Sequence, residues 1–145
     1  MKKIMAWGMA VLLAAGLAGC GGKKPVDGTY TARVDAATAQ SAQGWTDTLT
    51  ITYRDGDIAD VDFDSFDEEG RRKSSLSAEE YPMDPAPKDW MARLEENIKL
   101  TDKPQKVAAV AGATQSSGYA RGLYEAIQSA AKEGKTDPLT VTVKN

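Results

Sequence analysis

The chain has 145 residues, the size of one domain, and its 27% charged and 41% hydrophobic residues suit a folded protein rather than a disordered one. A net charge of −3 argues against a non-specific nucleic-acid binder, which needs a basic face. The sequence has no histidine and one cysteine. It therefore excludes Ser-His-Asp and Cys-His catalysis, histidine-ligated zinc or haem, and an intrachain disulfide.

The N-terminal segment has the pattern of an export signal. Lys2 and Lys3 precede an apolar run, Ile4 to Gly16, that is too short to span a bilayer but fits the hydrophobic region of a secretory signal. The run ends in Leu17-Ala18-Gly19-Cys20, which resembles the bacterial lipobox, whose cysteine receives a diacylglycerol and becomes the mature N-terminus. The alternative is an ordinary secretory signal with an incidental cysteine.

The lipobox sets the predicted domain boundaries and the location. We predict a lipoprotein signal peptide over residues 1–19, a lipidated Cys20 and short tether over 20–26, and a folded domain over 27–145. Two or three acyl chains hold a protein stably in a membrane. The lipid partner is thus reached through Cys20, either on the outer side of the bacterial cytoplasmic membrane or in the outer membrane, with the domain facing out of the cytoplasm.

The first half of the domain reads mainly as strands. Leu49, Ile51 and Tyr53 alternate with threonines, which is the period of two that half-buried strands show. Asp55-Gly56 then marks a hairpin turn. The predicted elements are a strand over 30–34, a polar loop over 35–43, a strand over 45–53 and a strand over 58–66.

Three alternating aspartates, Asp60, Asp62 and Asp64, match the start of an EF-hand calcium loop. The sixth position is Ser65 instead of glycine and the twelfth is Arg71 instead of glutamate, so the rest of the calcium pattern fails. We interpret the aspartates as the solvent face of a strand and predict no metal site.

The loop over residues 68–77 carries three consecutive cations, Arg71, Arg72 and Lys73. We interpret it as a surface loop of mixed charge. The alternative is a cationic contact for a phosphate or an acidic partner.

The second half of the domain reads mainly as helices. Met91, Leu94 and Ile98 fall on one face of a helix, beside Trp90. The predicted elements are a helix over 88–100, a short strand over 107–110, a helix from Ser116 or Ser117 to Gly134, and a strand over 139–143. The fold class is therefore α+β: a single small domain with an antiparallel, hairpin-rich sheet and two main helices.

One segment carries a chemical motif at the start of the last helix. Gly112 and Ala113 are small, so a ligand or another backbone can approach, and Thr114, Ser116 and Ser117 supply hydroxyls. The N–H groups that open a helix lack intrahelical partners and lie at its positive end. The segment is thus either a phosphate site or an ordinary helix cap.

The run Gly112-Ala113-Thr114-Gln115-Ser116-Ser117 resembles the Ser/Thr-Gly-Ala-Thr-x-Ser/Thr motif of FMN-binding domains. These domains occur in peripheral subunits of ion-pumping NADH:quinone and ferredoxin:NAD oxidoreductases, in small lipoproteins of extracellular electron transfer, and in major-membrane-immunogen lipoproteins. The similarity covers about residues 27–134 and includes Asp27-Gly28-Thr29-Tyr30 and the Asp55-Gly56 hairpin.

The resemblance implies that Gly112, Ala113, Thr114, Gln115, Ser116 and Ser117 bind FMN and that a flavin transferase esterifies its phosphate to Thr114. The protein would then be a redox carrier with a membrane redox partner, without catalytic residues or a substrate of its own. Four aromatic side chains are candidates to lie against the flavin ring: Trp45, Tyr81, Trp90 and Tyr119.

The chain departs from the family pattern at two positions. Ala108 stands where the family has aspartate, and Ala111 stands where it has Ser or Thr. The alternative function is therefore a flavin-free lipoprotein of the same fold that acts as a surface binding or structural module.

Overall fold

The computed structural model describes residues 22–144. Their strands are β1 (Gly28–Val34), β2 (Thr46–Arg54), β3 (Asp57–Phe66) and β4 (Leu139–Val141). Their helices are α1 (Ala36–Ser41), α2 (Pro87–Lys99) and α3 (Thr114–Lys132), with 3₁₀ turns at Lys73–Ser75 and Pro104–Lys106. The strands form one sheet in the order β3-β2-β1-β4, in which β4 runs parallel to β1 and the other pairs are antiparallel.

The β2–β3 hairpin confirms the prediction made from alternation and from the Asp55-Gly56 turn. Both turn residues have positive φ, 55° for Asp55 and 81° for Gly56, as a tight hairpin requires. Leu49, Ile51 and Tyr53 are buried. The threonines between them face the other side, where they pair with threonines of β1 across the sheet.

Both main helices are present and pack against the apolar face of the sheet, α2 on β3 and α3 on β1 and β2. Trp90, Met91, Leu94 and Ile98 of α2 are buried there, as their spacing predicts. The sheet and two main helices confirm the α+β fold class, but the sheet is mixed instead of antiparallel, because β4 runs parallel to β1.

The segment predicted as a loop over 35–43 contains the short helix α1, so that prediction is wrong. Asp35 is the N-cap, and its side chain accepts a hydrogen bond from the Thr38 amide at 2.8 Å. An aspartate cap before an alanine-rich run favours helix, although the run is too short to show an apolar period.

The predicted strand over 107–110 is also wrong, since no described strand pairs with it. Val107 and Val110 are buried. Side chains of the helices bond the backbone here: Arg121 Nε donates to the Val107 carbonyl and Asn97 Nδ2 to the Ala108 carbonyl. The apolar pattern therefore marks an extended segment held by helix side chains instead of by a sheet.

Candidate functional site

Helix α3 begins at Thr114, two or three residues before the predicted start at Ser116 or Ser117, and its first turn has no side-chain cap. Ala113 occupies the N-cap position and has no hydrogen-bonding side chain. The Ser117 amide makes a helical bond to the Ala113 carbonyl at 2.9 Å. The amides of Thr114, Gln115 and Ser116 come before that bond, so the positive end of the helix is available to an anion.

The six motif residues divide into two groups. Gly112, Ala113, Thr114, Gln115 and Ser116 line one pocket. Ser117 does not, because it is fully buried; its hydroxyl donates to the Ala113 carbonyl at 2.7 Å and accepts from the Val110 amide at 3.0 Å. Ser117 therefore holds the loop against the helix, while the exposed Thr114 is open to a reacting group.

Gly112 has a structural reason to be glycine. Its φ is 84°, and a Cβ placed on it would lie 3.1 Å from Cδ of Pro85. The close neighbour is thus another part of the chain, and the small residue is explained without a ligand.

The pocket at the start of α3 has a volume of about 190 Å³ and is completed by α1, β2, α2 and the segment between β3 and α2. Its other lining residues are Ser41, Ala42, Gln43, Asp47, Lys73, Tyr81, Met83 and Trp90. A larger cavity of about 710 Å³ lies beside Lys24 and Tyr53 and contains none of the motif residues. The smaller pocket is therefore the candidate site.

Asp47 is a pocket residue that the sequence reasoning missed. It is 1% exposed, Oδ1 accepts from the Ser65 hydroxyl, and Oδ2 has no hydrogen-bond partner. Burial raises the pKa of Asp47, while neighbouring hydroxyls and the charge of Lys73 oppose the rise. The alternation that places Leu49 inside also places Asp47 inside, so extending the period by two residues would have found it.

Lys73 is the second missed residue, and its interpretation as part of a surface loop is wrong. Its exposure is 7%, and its Nζ lies 4.5 Å from the ring centre of Trp45 and 4.9 Å from that of Tyr81. Burial lowers the pKa of Lys73, and the carboxylates of Asp47 and Asp64 oppose this. The aromatic faces stabilise the ammonium through cation–π contact.

The four candidate aromatic residues have different positions. Trp90 is 1% exposed, packs against Phe63 and lines the pocket, and its Nε1 has no hydrogen-bond partner. Tyr81 also lines the pocket, whereas Trp45 packs on Tyr81 edge to face. Tyr119 is buried in the core and its hydroxyl accepts from Gln115 Nε2 at 3.0 Å.

Asp60 and Asp62 are solvent-exposed as predicted, but Asp64 is 3% exposed, which corrects the interpretation of the three aspartates. The chain after β3 turns back and forms a bridge between Phe66 and Arg72, which covers Asp64. Across residues 22–144, no group of three or more acidic or cysteine side chains is placed to hold a metal ion.

One solved structure shows a fold similar to this one. The crystal structure of the CPE2226 protein from Clostridium perfringens matches with a TM-score of 0.73 at 25% identity, covering 83% of this chain and 99% of that chain. A solution NMR structure from Clostridium thermocellum matches with a TM-score of 0.44 at 22% identity, over 75% of this chain and 92% of the other. The first similarity supports the α+β fold.

No family model matches the chain, and no curated protein is significantly similar to it. Among residues 22–144, no helix is long and apolar enough to cross a bilayer. Cys20 and the predicted signal peptide lie outside the described residues.

The residues present fit the FMN that the sequence resemblance implies. The uncapped start of α3 suits a phosphate, and the unpartnered atoms Asp47 Oδ2 and Trp90 Nε1 suit a polar ring. Pockets for drug-sized ligands have volumes of about 300–1,000 Å³. The volume of about 190 Å³ therefore encloses only part of such a cofactor, and the remainder would lie at the surface.

Proposed function

We propose that this chain is a lipid-anchored FMN-binding protein that carries electrons outside the cytoplasm. The single observation that carries the proposal is the start of α3, where an exposed threonine of an FMN-type motif follows an uncapped N-cap position. FMN supplies the redox chemistry when bound. The chain holds the phosphate at Thr114 and shelters part of the ring in the pocket.

Attachment of FMN requires a flavin transferase with FAD as the donor. The Thr114 oxygen forms a phosphoester bond to the flavin-side phosphorus of FAD, the pyrophosphate bond breaks, and AMP leaves. The transferase would accept the hydroxyl proton. Exposure of Thr114 gives the transferase access, and the N–H groups of α3 stabilise the phosphate charge.

The second candidate function is a flavin-free module of the same fold on the membrane surface. The observation that favours it is the pair Ala108 and Ala111, which lack the carboxyl and hydroxyl of the FMN-binding pattern. Both positions are exposed in the structure. Restoring those groups should therefore leave the fold intact, which makes the two functions separable by experiment.

The decisive experiment is expression of the full chain with a flavin transferase and FAD, followed by in-gel flavin fluorescence after denaturation. The wild type should fluoresce, Thr114→Ala should be dark because no hydroxyl remains, and the control Thr136→Ala should match the wild type. The double change Ala108→Asp with Ala111→Ser should label more strongly. If the wild type and this double variant are both dark, and neither shows a flavin spectrum when purified, the flavin-free module replaces the proposal.

The anchor is tested separately with a labelled fatty acid. Wild-type protein should incorporate the label, and Cys20→Ala should keep its signal peptide and remain unlabelled. A wild type without label would overturn the lipid-anchored location and leave the flavin proposal untouched.

A further inference from the structure

The candidate pocket contains buried polar side-chain atoms that phosphate binding does not use. Asp47 and Trp90 are each 1% exposed, and each has one polar side-chain atom without a partner. Lys73 lies in the same pocket with its ammonium against two aromatic rings. Buried polar atoms without partners are costly, so a cluster of them in a pocket indicates a polar ligand.

The charges of the cluster restrict the chemistry of that ligand. An anion placed deep in the pocket would meet the buried carboxylate of Asp47, and a cation would meet the ammonium of Lys73. A neutral ligand that carries both a donor and acceptors avoids both conflicts. Asp47 Oδ2 accepts a hydrogen bond when ionised, whereas Trp90 Nε1 and Lys73 Nζ donate.

We infer that Asp47, Lys73 and Trp90 form a subsite for the edge of a planar heterocycle in which one N–H stands between two carbonyls. Asp47 accepts from the N–H, and Trp90 and Lys73 donate to the carbonyl oxygens. The pyrimidine edge of a flavin ring has this arrangement. The inference rests on the proposed function and extends it from the phosphate at Thr114 to the ring.

The shifted titration of both charged groups agrees with this assignment. Burial raises the pKa of Asp47 and lowers the pKa of Lys73, so the neighbours of each charge only partly replace its lost solvation. A donor on Asp47 and an acceptor on Lys73 would supply that missing solvation. The cation of Lys73 beside the ring would also favour the reduced cofactor, because reduction adds negative charge.

Riboflavin, which has the ring without the phosphate, tests the subsite independently of Thr114. The full chain, purified in detergent, is titrated with riboflavin while its fluorescence is followed. Asp47→Asn should weaken binding about tenfold, the effect of losing one buried hydrogen bond to a charged group. The matched control Asp137→Asn, which removes an exposed carboxyl, should bind as the wild type does.

The covalently loaded protein gives the second readout, since the ester at Thr114 keeps the flavin in place whatever happens at the ring. Lys73→Met should lower the midpoint potential and change the visible spectrum, whereas the exposed-lysine control Lys103→Met should change neither. Thermal unfolding followed by circular dichroism confirms that each variant is folded. Trp90→Phe is a further substitution, which removes the indole N–H but keeps an aromatic ring.

The outcomes separate the two proposals. If the wild type is loaded with flavin but Lys73→Met and Asp47→Asn behave as their controls do, the subsite is overturned. The FMN function is then left intact. Riboflavin binding that depends on Asp47, in a wild type that stays dark on the gel, would support the subsite and overturn attachment at Thr114. A wild type that neither labels nor binds riboflavin overturns both.

Discussion

Two buried aspartates on neighbouring strands have opposite surroundings. Asp64 Oδ1 accepts from the amides of Ser65 at 2.8 Å and Ser74 at 3.2 Å, and its Oδ2 accepts from the Ser74 hydroxyl and lies 3.0 Å from Arg72 Nε. Asp47 has the Ser65 hydroxyl on Oδ1 and no hydrogen bond on Oδ2, although the Ser116 hydroxyl and the charge of Lys73 partly offset the rise in its pKa. Ser65 thus contacts both carboxylates, and Asp64 is the more completely paired of the two.

The more completely paired carboxylate, Asp64, is the one that holds the chain together. A buried carboxylate with partners on both oxygens fixes the segment that supplies those partners, here the turn after β3. A buried carboxylate oxygen without a hydrogen-bond partner destabilises the fold. We therefore expect Asp64 to serve stability and Asp47 to serve binding.

The largest expected effect is at Asp64. Asp64→Ala leaves the amides of Ser65 and Ser74 without their acceptor and removes the contact of Asp64 with Arg72 Nε, which should cost about 3 kcal/mol of unfolding free energy. Urea denaturation followed by circular dichroism measures it. Asp62→Ala is the control, since it removes only an exposed ion pair with Arg72 and should cost about 0.5 kcal/mol. Equal losses in the two variants would contradict the structural role.

Gly112 gives the next effect and separates backbone strain from contact with Pro85. Gly112 and Gly44 both have a φ of 84°, but a Cβ at Gly44 has no neighbour within 4 Å. Gly44→Ala should cost about 1 kcal/mol from the left-handed backbone alone. Gly112→Ala should cost about 2 kcal/mol, because the added Cβ also presses on Pro85. Thermal melts of both variants test this, and equal costs would show that the Pro85 contact relaxes freely.

The smallest stability effect is expected at Asp47, and its sign depends on pH. Burial raises the pKa of Asp47, so the folded state holds this proton more tightly than the unfolded chain. The stability that the protonated group contributes is present below the usual aspartate value and is lost as pH rises through the raised folded value. The Asp47→Asn variant has no carboxyl at this position to titrate, so it does not lose this stability as pH rises.

The stability of Asp47→Asn relative to wild type should therefore increase across that pH window and remain within about 1 kcal/mol of wild type at neutral pH. Urea unfolding at a series of pH values measures the difference, with Asp137→Asn as the control for net charge. A relative stability that falls as pH rises would show that Asp47 is stabilised as an anion in the fold.

The elements that could be predicted from the sequence are those with local signals. Leu49, Ile51 and Tyr53 repeat every two residues, and Met91, Leu94 and Ile98 repeat with the helical spacing, so the hairpin and α2 follow from pattern alone. The motif before α3 was found in the same way, because its small and hydroxyl residues are contiguous.

The missed features depend on contacts between distant parts of the chain. Lys73 is buried because the chain folds back after β3 and meets Trp45, 28 positions earlier in the printed sequence. Val107 and Val110 resemble a strand, but the groups that bond their backbone, Arg121 and Ser117, come from α3. Neither the return of the chain after β3 nor those side-chain hydrogen bonds produces a periodic pattern in the sequence.

Strand β1 also sets the orientation of the pocket relative to the predicted anchor. Its first residue, Gly28, follows the tether and pairs with Tyr53, whereas Arg33 pairs with Thr48, the neighbour of Asp47. At a rise of about 3.3 Å per residue, the strand separates Gly28 from Arg33 by about 17 Å. If the domain is held at a bilayer through the predicted tether, the pocket would lie toward the end of β1 that is farther from the lipid and would face the surrounding aqueous phase.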